Sequence, residues 1–108
     1  LESLPIADEE LDLAILALVL HYIVDPRAVL SEVMRTLAPG GRVLVLDMRR
    51  HDRGVTFSKN MGHVWPGFDF EQLEAWLTDA RFSSIRFQAL TPDPDASGPL
   101  LFLASARA

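Results

Sequence analysis

Residues 11–48, "LDLAILALVLHYIVDPRAVLSEVMRTLAPGGRVLVLDM", decide how this chain is read. They open on an almost wholly apolar run, Leu11 to Leu20, too uniform for a strand with one wet face. Such a run predicts a strand buried on both sides, as in parallel sheets flanked by helices. The run stops on His21 and Tyr22, and a helix start follows. Asp25 is a capping residue, and Pro26 suits a first turn, where a missing N–H costs little. Val29, Leu30, Val33, Met34 and Leu37 then recur at helical spacing, with Arg27, Ser31, Glu32 and Arg35 outward. "APGG" at 38–41 ends the helix, because Pro39 cannot continue it and the glycines permit the turn back. "RVLVLDM" at 42–48 is a second buried strand. Strand, helix and strand in this order make a βαβ unit with parallel strands and a right-handed crossover.

Outward from this unit the pattern changes. Residues 49–67 read as irregular or weakly helical. "FDFEQLEAWLTDARF" (68–82) predicts a second helix, with Asp69 as cap, Gln72 completing a capping box and Phe68 stapled onto Leu73. Leu73, Trp76, Leu77 and Ala80 form its inner stripe. "SIRFQAL" (84–90) alternates as a strand with one exposed face would. "LLFLASA" (100–106) is a last apolar strand, joined to it by the polar, proline-rich "TPDPDASGP". A short connector without a helix makes these two antiparallel. The class is α/β: a parallel βαβ unit, then a helix and an antiparallel strand pair.

Composition narrows the function. The 108 residues suit one small domain with one core. No apolar stretch reaches the ~18 residues that span a bilayer, and no signal-peptide order is present, so no membrane association is expected. The absence of cysteine excludes disulfides and thiolate chemistry and fits a reducing cytoplasm. A net charge of −5 argues against direct nucleic-acid binding through phosphate neutralisation. "RRHDR" at 49–53 is locally basic, and reads either as a solvated loop or as one facing an anion or substrate.

Ligands of open parallel sheets bind beyond the carboxyl ends of the strands. His21, Tyr22, Asp47, Met48 and Arg49 all fall on that edge. The alternatives stay open: a histidine at a strand end is commonly structural, Tyr22 can simply pack its ring, and Asp47 can brace the following loop. His21, His51 and His63 have no metal-ligand spacing, so no metal is expected. No G-x-S-x-G turn and no phosphate-cradling glycine loop is present. In "NMGHVWPGFD" (60–69), Met61, His63, Trp65 and Phe68 either cover the core or wall a pocket at the sheet edge.

The ordered set Glu2, Leu4-Pro5, Asp8, Leu11-Asp12, Leu20-His21, Asp25-Pro26, Leu37 and Pro39-Gly40-Gly41 resembles the C-terminal half of a class I S-adenosylmethionine-dependent methyltransferase. The resemblance implies a partial Rossmann-like sheet whose terminal strand pair is antiparallel. It implies S-adenosyl-L-methionine as cofactor of the complete domain and a small-molecule methyl acceptor. Carried over by position, Leu1 lies near adenine, and Ala17 and Leu18 line the methionine part of the cofactor. His21 and Tyr22 face the cofactor or substrate pocket. Asp47, Met48, Arg49, His63 and Trp65 lie on the substrate side. "LDMRRHDR…MGHVWPGF" is most similar to methyltransferase domains fused behind ArsR-type winged-helix repressors.

The family's glycine-rich turn and ribose-holding acid have no counterpart in these residues. Residues 1–108 are therefore expected to be the C-terminal half of one domain, inactive alone, with weak or no cofactor binding. An unpaired edge of the first strand is expected to favour a homo-oligomer. The alternative is a non-enzymatic association or ligand-sensing module of a transcriptional regulator.

Overall fold

The computed structural model describes residues 4–49, 67–90 and 100–108. Four strands form one sheet: β1 (Leu11–Ala17), β2 (Leu37–Met48), β3 (Ser83–Ala89) and β4 (Leu101–Arg107). Among the described residues two helices, α1 (Pro26–Thr36) and α2 (Phe70–Asp79), connect them. The spatial order is β1-β2-β4-β3, with β1 parallel to β2 and β4 antiparallel to both its neighbours. The βαβ unit and the antiparallel terminal pair are as the sequence predicts.

Helix α1 starts where the sequence places it. The Asp25 carboxylate accepts from the Ala28 N–H at 3.3 Å, and Pro26 occupies the first turn. Its stripe of Val29, Leu30 and Val33 packs on Val43, Val45, Phe102, Ala104 and Ala106 of the sheet, together with Leu73 and Leu77 of α2. Both helices thus cover the same face, and one continuous core lies between them and the strands.

Three sequence expectations are corrected. Strand β1 ends at Ala17, not Leu20, because Leu18 turns into the left-handed region (φ 56°) and Leu20–Tyr22 wind into a short 3₁₀ turn. Nor is β1 buried on both sides. Among the described residues it pairs only with β2 and stands at the sheet edge, with Leu13 48% and Ile15 59% exposed. Asp69 is the N-cap of α2, but its carboxylate does not bond the first-turn amides, so the capping box does not form. Phe68 and Leu73 are both buried in the one core, where the Phe68 ring also meets Trp76 edge-on at 5.8 Å.

A polar clamp ties the segment before β1 to α1. Arg35 bonds Asp8 at 2.6 Å, Glu32 at 2.5 Å and the Leu4 carbonyl at 3.2 Å, and the Leu4 N–H donates to Glu32 at 3.0 Å. The bonds from Arg35, then that from Leu4, hold the Glu32 carboxyl below its ordinary value, against the opposing effect of desolvation. The two carboxylates raise Arg35 in turn.

Candidate functional site

The carboxyl edge of the parallel pair brings His21 and Asp47 together, 26 positions apart in sequence. Register explains it. Ala17 pairs with Leu46, and the Leu18 N–H still bonds the Leu46 carbonyl at 2.7 Å. The chain then leaves the strand, and the 3₁₀ turn folds His21 back beside the end of β2. His21 Nδ1 lies 2.6 Å from Asp47 Oδ1, which also accepts from the Met48 N–H at 2.8 Å. Both side chains are buried, Asp47 completely and His21 to 3% exposure.

A carboxylate only accepts, so in this contact a neutral imidazole donates from Nδ1. Among the described residues Asp47 Oδ2 has no hydrogen-bond partner, and Oδ1 makes the bonds to His21 and Met48. Tyr22 packs its ring on the imidazole, centroids 4.2 Å apart and tilted 41°, while remaining 48% exposed. The pair is thus interior and its stacked tyrosine is at the surface.

The other sequence candidates separate. Ala17 and Leu18 are exposed at the end of β1, Leu18 by 44%. Met48 is buried and acts on Asp47 through its backbone N–H. Arg49 continues β2 by bonding the Leu100 carbonyl at 2.8 Å, and its guanidinium sits 5.0 Å over the Phe70 ring. It lines a concave pocket of about 510 Å³ with Phe68, Asp69, Phe70, Glu71 and Gln72. None of His21, Tyr22 or Asp47 lines that pocket. Leu1, His63, Trp65 and all of "RRHDR" except Arg49 lie outside the described residues.

Sequence reasoning placed His21 and Asp47 on one edge but missed their bond, and it missed the left-handed Leu18 altogether. Leu18 shares this conformation with Glu9, Arg81 and Ser84 among the described residues, so its φ alone does not mark the site. Among the described residues no group of three or more His, Cys, Asp or Glu side chains could hold a metal ion, and no helix is long and apolar enough to cross a membrane.

Residues 1–45 match the methyltransferase domain family. Over 47 residues the chain is 47% identical to the uncharacterized protein YafE of Escherichia coli, spanning 44% of this chain and 23% of that protein. It is 26% identical over 116 residues to a demethylmenaquinone methyltransferase of Clavibacter sepedonicus, spanning 82% of this chain and 46% of that one. The chain thus spans less than half the length of these curated relatives. A crystal structure of an S-adenosylmethionine-dependent methyltransferase from Thermotoga maritima superposes with a TM-score of 0.78, at 23% identity, covering 98% of this chain and 60% of the other.

Proposed function

We infer that this chain, whose fold is that of the class I S-adenosylmethionine-dependent methyltransferases, forms the acceptor side of a methyl-transfer site. The observation that carries this reading is the buried His21–Asp47 pair at the carboxyl edge of the parallel strands. Ala17 and Leu18 fit the methionine end of the cofactor. The turn at Leu18 stops the strand and leaves both residues as an exposed apolar rim, suited to an alkyl sulfonium chain. The nucleotide end has no glycine-rich turn to receive it in these 108 residues. Binding by this chain alone is accordingly weak or nil, and the segment corresponds to the C-terminal half of such a domain.

When bound, the cofactor supplies a methyl group activated by its sulfonium. The protein's own part is orientation and proton handling. Tyr22, exposed beside the pair, contacts the acceptor. When the acceptor's lone pair takes the methyl carbon and the carbon–sulfur bond breaks to leave a thioether, the acceptor's proton would go to the His21–Asp47 pair. Asp47 holds the ring in the required tautomer from the Nδ1 side. Small acceptors carrying N–H or O–H suit this arrangement.

The test uses the full-length protein containing this segment, radiolabelled S-adenosylmethionine and a panel of amines, phenols and carboxylic acids. His21→Gln is expected to abolish transfer while leaving S-adenosylhomocysteine affinity unchanged. Unimpaired transfer by that variant would refute the assignment.

A second reading, association without turnover, is favoured by the edge position of β1 and its exposed Leu13 and Ile15. It covers a homo-oligomer paired through that edge and a ligand-sensing module in a regulator of the ArsR type. Methyl transfer by the full-length protein refutes it.

A further inference from the structure

We propose that Arg49 is the carboxylate-binding residue of the acceptor site, and that the acceptor is a small, flat acid whose N–H or O–H lies about one ring's length from its carboxylate. This rests on the reading of His21 and Asp47 as the acceptor side of a methyl-transfer site. Strand β2 carries Arg49 to that side. Its backbone N–H bonds the Leu100 carbonyl at 2.8 Å, and it forms a parallel bridge with Phe68, so strand pairing runs on past Met48. Side chains alternate along a strand, so Val43, Val45, Asp47 and Arg49 share the helix-covered face. Asp47 and Arg49 leave that face about 7 Å apart.

The guanidinium is supported but not paired. It sits 5.0 Å over the Phe70 ring, which stacks on Phe87 at 4.8 Å and 15° and meets Phe102 edge-on at 5.6 Å. Phe102 is fully buried in the core, so an aromatic column rooted in the interior carries the cation. Among the described residues the Arg49 guanidinium has no hydrogen-bond acceptor and no ion pair, whereas Arg27 and Arg35 both reach carboxylates. It lines the pocket of about 510 Å³ at this edge. A planar guanidinium on an aromatic support is preorganised for two parallel bonds to one carboxylate.

The rest of the lining narrows the ligand. Asp69 and Glu71 stand in the same pocket, and among the described residues it holds no second cation. One guanidinium balances one carboxylate, whereas a phosphate dianion would need another positive group and would face two acids instead. An acceptor bearing only an ammonium group would meet Arg49 as a like charge. Phe68 and Phe70 supply an apolar wall suited to a ring. His21, Tyr22 and Asp47 do not line this pocket, so one acceptor reaches both places by spanning the step from Asp47 to Arg49. A ring with its carboxylate para to the reacting heteroatom has that span.

The test is isothermal titration of the full-length protein containing this segment, in excess S-adenosylhomocysteine. The probes are para-hydroxybenzoate and para-aminobenzoate, each beside its uncharged amide, with para-hydroxyphenyl phosphate as the dianion. Each benzoate should bind at least ~10-fold more tightly than its amide and than the phosphate. In Arg49→Gln the preference should vanish, and Arg49→Lys should restore only part of it, because lysine keeps the charge and loses the fork. Circular dichroism confirms that these substitutions at an exposed position leave the fold intact. Equal binding of benzoate and amide, a preference that survives Arg49→Gln, tighter binding of the phosphate, or no binding of any probe at about 10 mM overturns the proposal. Binding is read without turnover, so the two readings fail separately. A preference erased by Arg49→Gln in a protein that methylates no acceptor refutes the methyl-transfer function and leaves the carboxylate site standing.

Discussion

Replacing Asp47 separates two roles that the carboxylate combines. In Asp47→Ala the His21 ring nitrogen and the Met48 N–H both lose their acceptor in a site closed to water. Each stranded buried donor costs about 1–3 kcal/mol, and breaking a buried pair by removing one partner costs about 3–5 kcal/mol. The expected loss is therefore about 3–5 kcal/mol, a large part of the stability of a domain this size. Asp47→Asn keeps an acceptor at Oδ1 and places an amide where Oδ2 already lacks a partner. One unmet group replaces another, so its cost should stay within about 1 kcal/mol. Urea unfolding followed by far-ultraviolet circular dichroism reads the difference. At a slope of about 1–2 kcal/mol per molar, the alanine variant's midpoint should fall by roughly 1.5–5 M and the asparagine variant's by less than about 1 M. Equal losses would show that charge, not the acceptor geometry, holds this edge together, and would sink the account of Asp47 as a brace for His21.

Three further outcomes are expected. Glu32 has its carboxyl held below the ordinary 4.5 in the fold, so its contribution is complete above that value and fades as pH falls through the depressed one. Glu32→Gln should accordingly lower the melting temperature near pH ~7, and the gap from the parent should narrow as pH falls below 4.5; a gap that stays constant refutes the clamp. Gly40 has φ 82° with open space at its Cβ position, whereas a Cβ on Gly41 would meet the Ala38 carbonyl oxygen at 2.9 Å and the Asp12 carbonyl oxygen at 3.3 Å. Gly40→Ala should cost about 1–2 kcal/mol of backbone strain and Gly41→Ala more, because backbone atoms must move; the reverse ranking in urea midpoints would contradict this. Leu18→Asn should be neutral or stabilising by up to about 1 kcal/mol, since asparagine tolerates the left-handed conformation and position 18 is half exposed. A clear loss of stability there would mean that the Leu18 side chain has a packing partner.

The sequence was most legible where one residue has one physical job. Asp25-Pro26 starts α1 because the carboxylate meets an amide and the ring needs no N–H. The stripe of Val29, Leu30 and Val33 could bury itself only against a sheet. Legibility failed in the run Leu11–Leu20, where no polar residue marks the turn at Leu18 or the winding at Leu20–Tyr22. Uniform hydrophobicity also suggested two covered faces, while β1 stands at an edge with one face open. At "APGG" the glycines do not simply turn the chain. Leu37 pairs with Leu11 of β1, and the Gly40 N–H bonds the Ala108 carbonyl while the Ala108 N–H bonds the Gly41 carbonyl, so β2 begins at Leu37 and runs through the glycines. The pairing with Ala108 depends on residues at the far end of the sequence, which no local pattern encodes. For the candidate site, topology put His21 and Asp47 on one edge; their contact needed the register of Ala17 with Leu46 and a turn of three residues.

The strand order carries a consequence for how the chain acquires its shape. β4 is the last of the four strands in sequence yet lies second from one edge, between β2 and β3. Until Leu101–Arg107 arrive, β3 has no hydrogen-bonding neighbour, and the core lacks Phe102, Ala104 and Ala106. The early βαβ unit can assemble from nearby contacts, whereas joining Met48 to Leu101 and Arg42 to Arg107 must close long loops. During synthesis the nascent chain would therefore hold an open β2 edge until its closing strand emerges from the ribosome. In that interval an open β2 edge adds to the β1 edge that the finished fold keeps, so wrong pairings have the most to attach to.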